Sequence, residues 1–155
     1  MIQLELVFQY RFGGAGYGCV GMPAGKSLAV YANGDVVLCK YVLGKDEPVS
    51  RKVLAVKPEL ASAVAEIIAC HADELSGIPD TLDNGTLDGS EDCFTFGNKI
   101  ISAWCIHRTN PEDASAELDA AYRKNMEYEN AVLDIYDEIA VVINRHHVGI
   151  RLPVR

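Results

Sequence analysis

Cys19 and Lys26 are the reactive side chains of a glycine-rich run, Phe12–Ser27 (FGGAGYGCVGMPAGKS), in which six glycines fall within thirteen residues. Gly16-Tyr17-Gly18-Cys19-Val20-Gly21 has the spacing G-x-G-x-x-G. A dinucleotide site needs that spacing between a strand and a helix whose N-terminal N–H groups meet the pyrophosphate. Here Met22-Pro23-Ala24-Gly25 follows, and Pro and Gly cannot carry a helix interior. Gly25-Lys26-Ser27 looks like the end of a P-loop, but the first glycine of that motif falls at Val20, and Ser27 feeds the strand-like run Leu28–Ala32. What remains is a long connection of about fourteen residues between two strands, a common home for binding residues. Gly16, Gly18, Cys19 and Lys26 are its candidate ligand-binding residues. Nothing near Cys19 in sequence lowers its pKa, since neither a cation nor a helix N-terminus adjoins it.

The second chemical feature is acidic. From Pro58 to Asn98 there is no Lys or Arg, and nine acids occur: Glu59, Glu66, Asp73, Glu74, Asp80, Asp83, Asp88, Glu91 and Asp92. The whole chain has 22 acids, 14 Lys and Arg, and a net charge of −8, so the acidity comes from this one stretch. Such a lobe repels phosphate backbones and attracts a basic partner, so nucleic acid is not an expected partner. Asp80, Asp83, Asp88, Glu91 and Asp92, in the turn-rich segment Ile78–Asp92, are the candidate partner-binding residues. The alternative is a solvated face that only aids solubility.

The same segment invites a calcium reading. Aligned as an EF-hand loop, Asn84, Thr86 and Asp88 take ligand positions, but the bidentate glutamate falls at Thr95, which cannot serve. An ordinary turn held by Asx hydrogen bonds is the alternative. Five cysteines (Cys19, Cys39, Cys70, Cys93, Cys105) are widely spread with no C-x-x-C pair, so neither a disulfide framework nor a zinc ribbon is expected; most have apolar neighbours, as buried thiols do. Cys70-His71 and His146-His147 are adjacent on helices and diverge by about 100°, while Cys105 and His107 share a strand face but lack a second pair. His71 lies on or beside the core face of its helix and reads as a hydrogen-bonded histidine. No G-x-S-x-G or H-E-x-x-H occurs. Catalytic residues, metal and cofactor are each expected to be none, and an enzyme is disfavoured.

These residues need a scaffold. At 155 residues the chain reads as a single domain, 1–155, able to bury roughly 70% of its unfolded surface. No apolar run approaches the ~20 residues of a membrane helix. Residues 1–12 alternate and carry Glu5, so they read as a strand and not as a signal peptide. The expected setting is the cytoplasm, with no membrane partner. Leu28–Ala32 and Asp35–Leu43 flank Asn33-Gly34, a strong hairpin signal, and the second of these strands is apolar on both faces and hence central. Val49–Val56 is a further strand. Cys93–Phe96 and Lys99–His107 form a second hairpin around Gly97-Asn98, and Val148–Val154 alternates as a last strand.

Helical spacing runs over about Pro58–Ser76 and again from Pro111 to His147, with Asn110 as N-cap. Unbroken, the second segment would be ~55 Å long, against a globule about 40 Å across. A bend is therefore expected between Arg123 and Asn130, or else an overhang that packs on a second copy as a homodimer. The fold class is α+β: a two-layer sandwich, mainly antiparallel, of about five to seven strands, with two main helical segments on one face.

The order of Asn33-Gly34-Asp35, Pro48-Val49-Ser50, Leu82-Asp83-Asn84-Gly85-Thr86, Asp88-Gly89-Ser90 and Asn125–Asn130 resembles a group of small, uncharacterised bacterial α+β proteins over nearly the whole chain. That resemblance implies a bacterial cytosolic protein and no particular activity. The expected function is a non-enzymatic interaction protein that presents its acidic loop to a basic protein partner, as acidic immunity proteins do. The alternative is a small-molecule enzyme or sensor that uses loop 13–27 with Cys19 and Lys26.

Overall fold

A computed structural model describes residues 3–15, 18–87, 89–110, 112 and 120–155. Its strands are β1 (Leu6–Ala15), β2 (Pro23–Tyr31), β3 (Asp35–Val42), β4 (Ser50–Val56), β5 (Thr81–Asp83), β6 (Ser90–Phe96) and β7 (Lys99–Trp104). Its helices are α1 (Pro58–Cys70), α2 (Ala72–Ser76) and α3 (Ala120–Arg145). The strands form one seven-stranded sheet in the order β4-β3-β2-β1-β6-β7-β5, antiparallel except for β5 beside β7. The helices cover one face, giving a two-layer α+β sandwich.

Period-two alternation sets the layers. Phe8, Tyr10, Leu28, Val30, Val36, Phe94 and Ile101 point to the helical side and are buried against Leu60, Val64, Val132, Tyr136 and Ile139. Phe8 pairs with Val30 and Phe96, and Tyr10 with Leu28 and Phe94, so rings line up across β1 and β6 with aliphatic side chains of β2 beside them. Tyr10 sits 4.9 Å from Phe94 and 4.7 Å from Tyr136, centroid to centroid. The middle strand is β1; β3 is paired on both sides but lies second from an edge.

The glycine run is mostly sheet. β1 reaches Ala15 and β2 begins at Pro23, so the long connection shortens to residues 16–22. Its glycines supply bulges. The register shifts between Arg11 and Gly14 against β6, and between Pro23 and Lys26 against β3. Gly25 has φ +93°, and a Cβ there would collide with the Phe12 carbonyl oxygen.

Four other expectations are corrected. Helix Pro58–Ser76 is interrupted at His71 (φ −105°, ψ 12°), whose N–H bonds the Ile68 carbonyl in a tightened turn. No break occurs between Arg123 and Asn130, because α3 is continuous through them. The polar residues there are satisfied in place: Asn125 Nδ2 donates to buried Glu129 at 2.6 Å, one helical turn on. Residues 148–155 form no strand. They run extended along α3, where Asn144 bonds both the N–H and the carbonyl of Leu152 and Tyr136 donates to the Pro153 carbonyl. The alternation therefore buries Val148 and Leu152 against a helix and not in the sheet. Finally, no cysteine is fully buried: Cys19 and Cys70 are exposed, and Cys39, Cys93 and Cys105 are half-buried.

Candidate functional site

Charge divides between the layers. α1, α2 and α3 together carry nine acids and three bases, a net −6. The seven strands carry four acids and six bases, a net +2. Helices can do this because their outer faces stay in water, where a charge costs little. Four of the nine acids of the stretch, Glu59, Glu66, Asp73 and Glu74, thus belong to the helical layer, and α3 completes it with acids from outside that stretch.

The helical layer folds into an acidic groove of about 760 Å³ between α1–α2 and α3. Glu74 and His71 line one wall, and Asp134, Asp137 and Glu138 the other. His71 spans the groove, with Nδ1 2.9 Å from Glu74 and Nε2 3.1 Å from Glu138. The bond to Glu74 raises its pKa most; burial opposes, and Glu138 adds to the rise. Arg108 reaches in from the chain after β7 to bridge Asp134 and Asp137, the latter at 2.8 Å. Val142 and Ile67 floor the groove.

The five acids expected to act together are separated. Asp80 is 81% exposed and pairs with Lys99 at 2.9 Å. Asp83 is exposed at the end of β5 and accepts the Gly85 N–H at 2.8 Å. Glu91 is exposed on β6, where its side chain joins a different cavity. Asp88 lies outside the described residues. Asp92 overturns its assignment as a surface group, because it is 5% exposed and belongs to the core. It accepts from Tyr10 Oη at 2.9 Å and from Arg155 Nη1 at 3.0 Å. Strand alternation explains this: Glu91 faces outward, so Asp92 must face the helices. Burial first, and the Asp92 charge second, push the Tyr10 pKa far up.

The candidate ligand residues of the glycine run also disperse. Gly16 lies outside the described residues. Gly18 has φ +145° and Cys19 is exposed, its N–H resting on the Met22 sulfur. Lys26 pairs in register with Phe12, on the opposite side of the sheet from Ser27 and Arg11. Neither Cys19 nor Lys26 lines any of these cavities.

A second cavity, of about 420 Å³, lies on the sheet face away from the helices. Gln9, Arg11, Lys45, Glu91, Cys93 and Trp104 surround it. The Arg11 guanidinium lies 3.8 Å from the Tyr41 ring centre, and the Tyr41 hydroxyl is 3.1 Å from Ser27 Oγ. Trp104 is fixed by its indole N–H on the Thr86 carbonyl at 2.6 Å. Burial pushes the Cys93 thiol up, so it is a poor nucleophile. Sequence reasoning missed this cleft, because its walls meet only once the bulged register of β1, β2 and β6 is known.

The loop read for calcium is spent on itself. Asn84 Oδ1 accepts from the N–H and hydroxyl of Thr86, and its Nδ2 donates to the Cys105 carbonyl. Cys105 adopts φ 50° directly after β7, so Cys105 and His107 no longer share a strand face. His107 Nδ1 instead bonds the Cys105 carbonyl at 2.9 Å. Among the described residues no three His, Cys, Asp or Glu side chains converge as a metal site. No described helix is long and apolar enough to cross a membrane.

No family model matches the chain, and no curated protein or solved structure is similar to it.

Proposed function

We propose that this chain is a non-enzymatic interaction protein that docks its helical layer on a basic protein surface. The observation behind the reading is the layer's excess of nine acids over three bases, with four of the acids (Glu74, Asp134, Asp137 and Glu138) lining one open groove together with Arg145. A surface of one sign speeds encounter with its opposite and rejects phosphate backbones. Glu66, Asp73, Glu74 and Glu138 are its exposed carboxylates, and Asp83 flanks it on β5, the strand that adjoins α3, with Asp80 just before that strand. The acidic loop thus becomes the margin of the docking surface and not its centre.

Zero-length carbodiimide cross-linking in lysate of the source cell tests this. The expected result is that lysines of one partner join to carboxylates of α1, α2 and α3, and that these links disappear at high salt. Links confined to the sheet, or links indifferent to salt, contradict the proposal.

A further inference from the structure

The cleft on the open face of the sheet holds charges of both signs that do not meet. Arg11 and Lys45 are cations, Glu91 is an anion, and all three line the same cavity. Among the described residues none of them has an ion-pair partner. Lys45 and Glu91 are exposed and Arg11 is half-buried. Strand register sets Arg11 opposite Cys93 and Glu91 opposite Gly14, beyond the bulge, while Lys45 stands on the connection after β3. Arg11 is held further by Tyr41, whose ring it stacks on and whose hydroxyl is tied to buried Ser27. That arrangement fixes the guanidinium without neutralising it, and its fork of donors suits a carboxylate.

Apart from Gln9, the remaining walls are largely apolar. Val42, Leu43 and Ala24 lie on one side and Trp104 on the other, with the indole N–H already committed to Thr86. The loop before β2 seals this end, since Gly21 N–H bonds the Leu43 carbonyl and Leu43 N–H bonds the Met22 carbonyl. A cavity of about 420 Å³ is within the range of small-molecule sites, roughly 300–1,000 Å³.

We propose that this cleft binds a small zwitterion of the amino-acid or dipeptide class. Its carboxylate is held by Arg11 and Lys45, its ammonium by Glu91, and an apolar side chain packs on Trp104 and Leu43. The site lies across the sheet from the helical layer, so it stands or falls independently of the docking surface.

The test is calorimetric titration of the full chain with L-leucine and L-leucyl-L-leucine, beside N-acetyl-L-leucine, which keeps only the carboxylate, and L-leucinamide, which keeps only the ammonium. Saturable binding of at least one zwitterion is expected, with both blocked analogues roughly tenfold or more weaker, the worth of one lost charge-assisted bond. Arg11→Gln is expected to abolish binding and Arg11→Lys to retain part of it, with unchanged near-UV circular dichroism confirming the fold. Glu91→Gln is expected to erase the preference for leucine over N-acetyl-leucine. Equal binding of leucine and its acetyl derivative, or indifference to Glu91→Gln, overturns the zwitterion in favour of a plain anion site. No binding by any of the four probes overturns the site itself.

Discussion

The helical layer and the open sheet face solve the placement of charge in opposite ways. On α1, α2 and α3 the acids are numerous and, apart from buried Glu129, outward-facing, and Arg108 meets two of them, Asp134 and Asp137, near the surface. On the open face the charges are few, of both signs, and kept from one another around a walled cavity. A field of like charges acts at a distance and suits a macromolecular partner. A few opposed charges in a cleft act at contact and suit a small ligand. Asp92 belongs to neither: it is an acid of the sequence lobe that the strand turns inward.

The largest effect is expected there. Asp92→Ala leaves the Tyr10 hydroxyl buried without its acceptor and Arg155 without its partner, and should cost about 2–4 kcal/mol in denaturant unfolding. A loss near zero, together with weakened docking, would return Asp92 to the acidic surface and blur the contrast. Neutralising the groove with Glu74→Gln, Asp134→Asn and Glu138→Gln should do the reverse. Salt-sensitive association with a basic peptide should disappear in a binding titration, while stability moves by only about 1 kcal/mol, since each exposed pair contributes little.

A smaller effect is expected at His71. Its pKa is raised in the folded state by Glu74 and then Glu138, so the folded chain holds the proton more tightly than the unfolded chain. The stability this adds is complete below the ordinary value of 6.5 and is lost as pH rises through the higher folded value. Unfolding measured from neutral to mildly alkaline pH should show that decline, and His71→Gln should remove it. The smallest change is expected from Arg11→Gln, about 0.5–1 kcal/mol for the stacking on Tyr41. A larger loss in thermal or chemical unfolding would make Arg11 a structural residue and weaken the case for the cleft.

Much of the scaffold was legible in the sequence, and the reasons are local. Asn33-Gly34 specifies its hairpin by turn chemistry, and the alternation of Ile2–Phe12 places Phe8 and Tyr10 on one face without reference to any partner strand. The bulges at Gly13 and Gly25 were not legible, because a glycine cluster reads as loop until its pairing is known. The tail was misread for a similar reason: alternation records one buried side, and at Val148 and Leu152 the burying surface is a helix.

The candidate sites were less legible still. A run of acids along the chain does not say which are turned inward, and the alternation of Glu91 with Asp92 only becomes decisive once β6 is known to begin at Ser90. The acids of α3 lay outside the run altogether, flanked by Arg123, Lys124 and Arg145, and Asp134, Asp137 and Glu138 reach the groove only through the packing of α3 on α1. The cleft depends on five strands, a turn and a register shift, none of which composition records.

If the helical layer is the docking face, it is the face that meets positive charge. Titration of isotope-labelled protein with a short oligolysine peptide, followed by amide chemical shifts, measures this residue by residue. The predicted result is that shifts move along α1, α2 and the groove-facing side of α3, centred on His71, Glu74 and Glu138, and return to their starting values when salt is added. Shifts centred on β1–β4, or spread evenly over both layers, would contradict it.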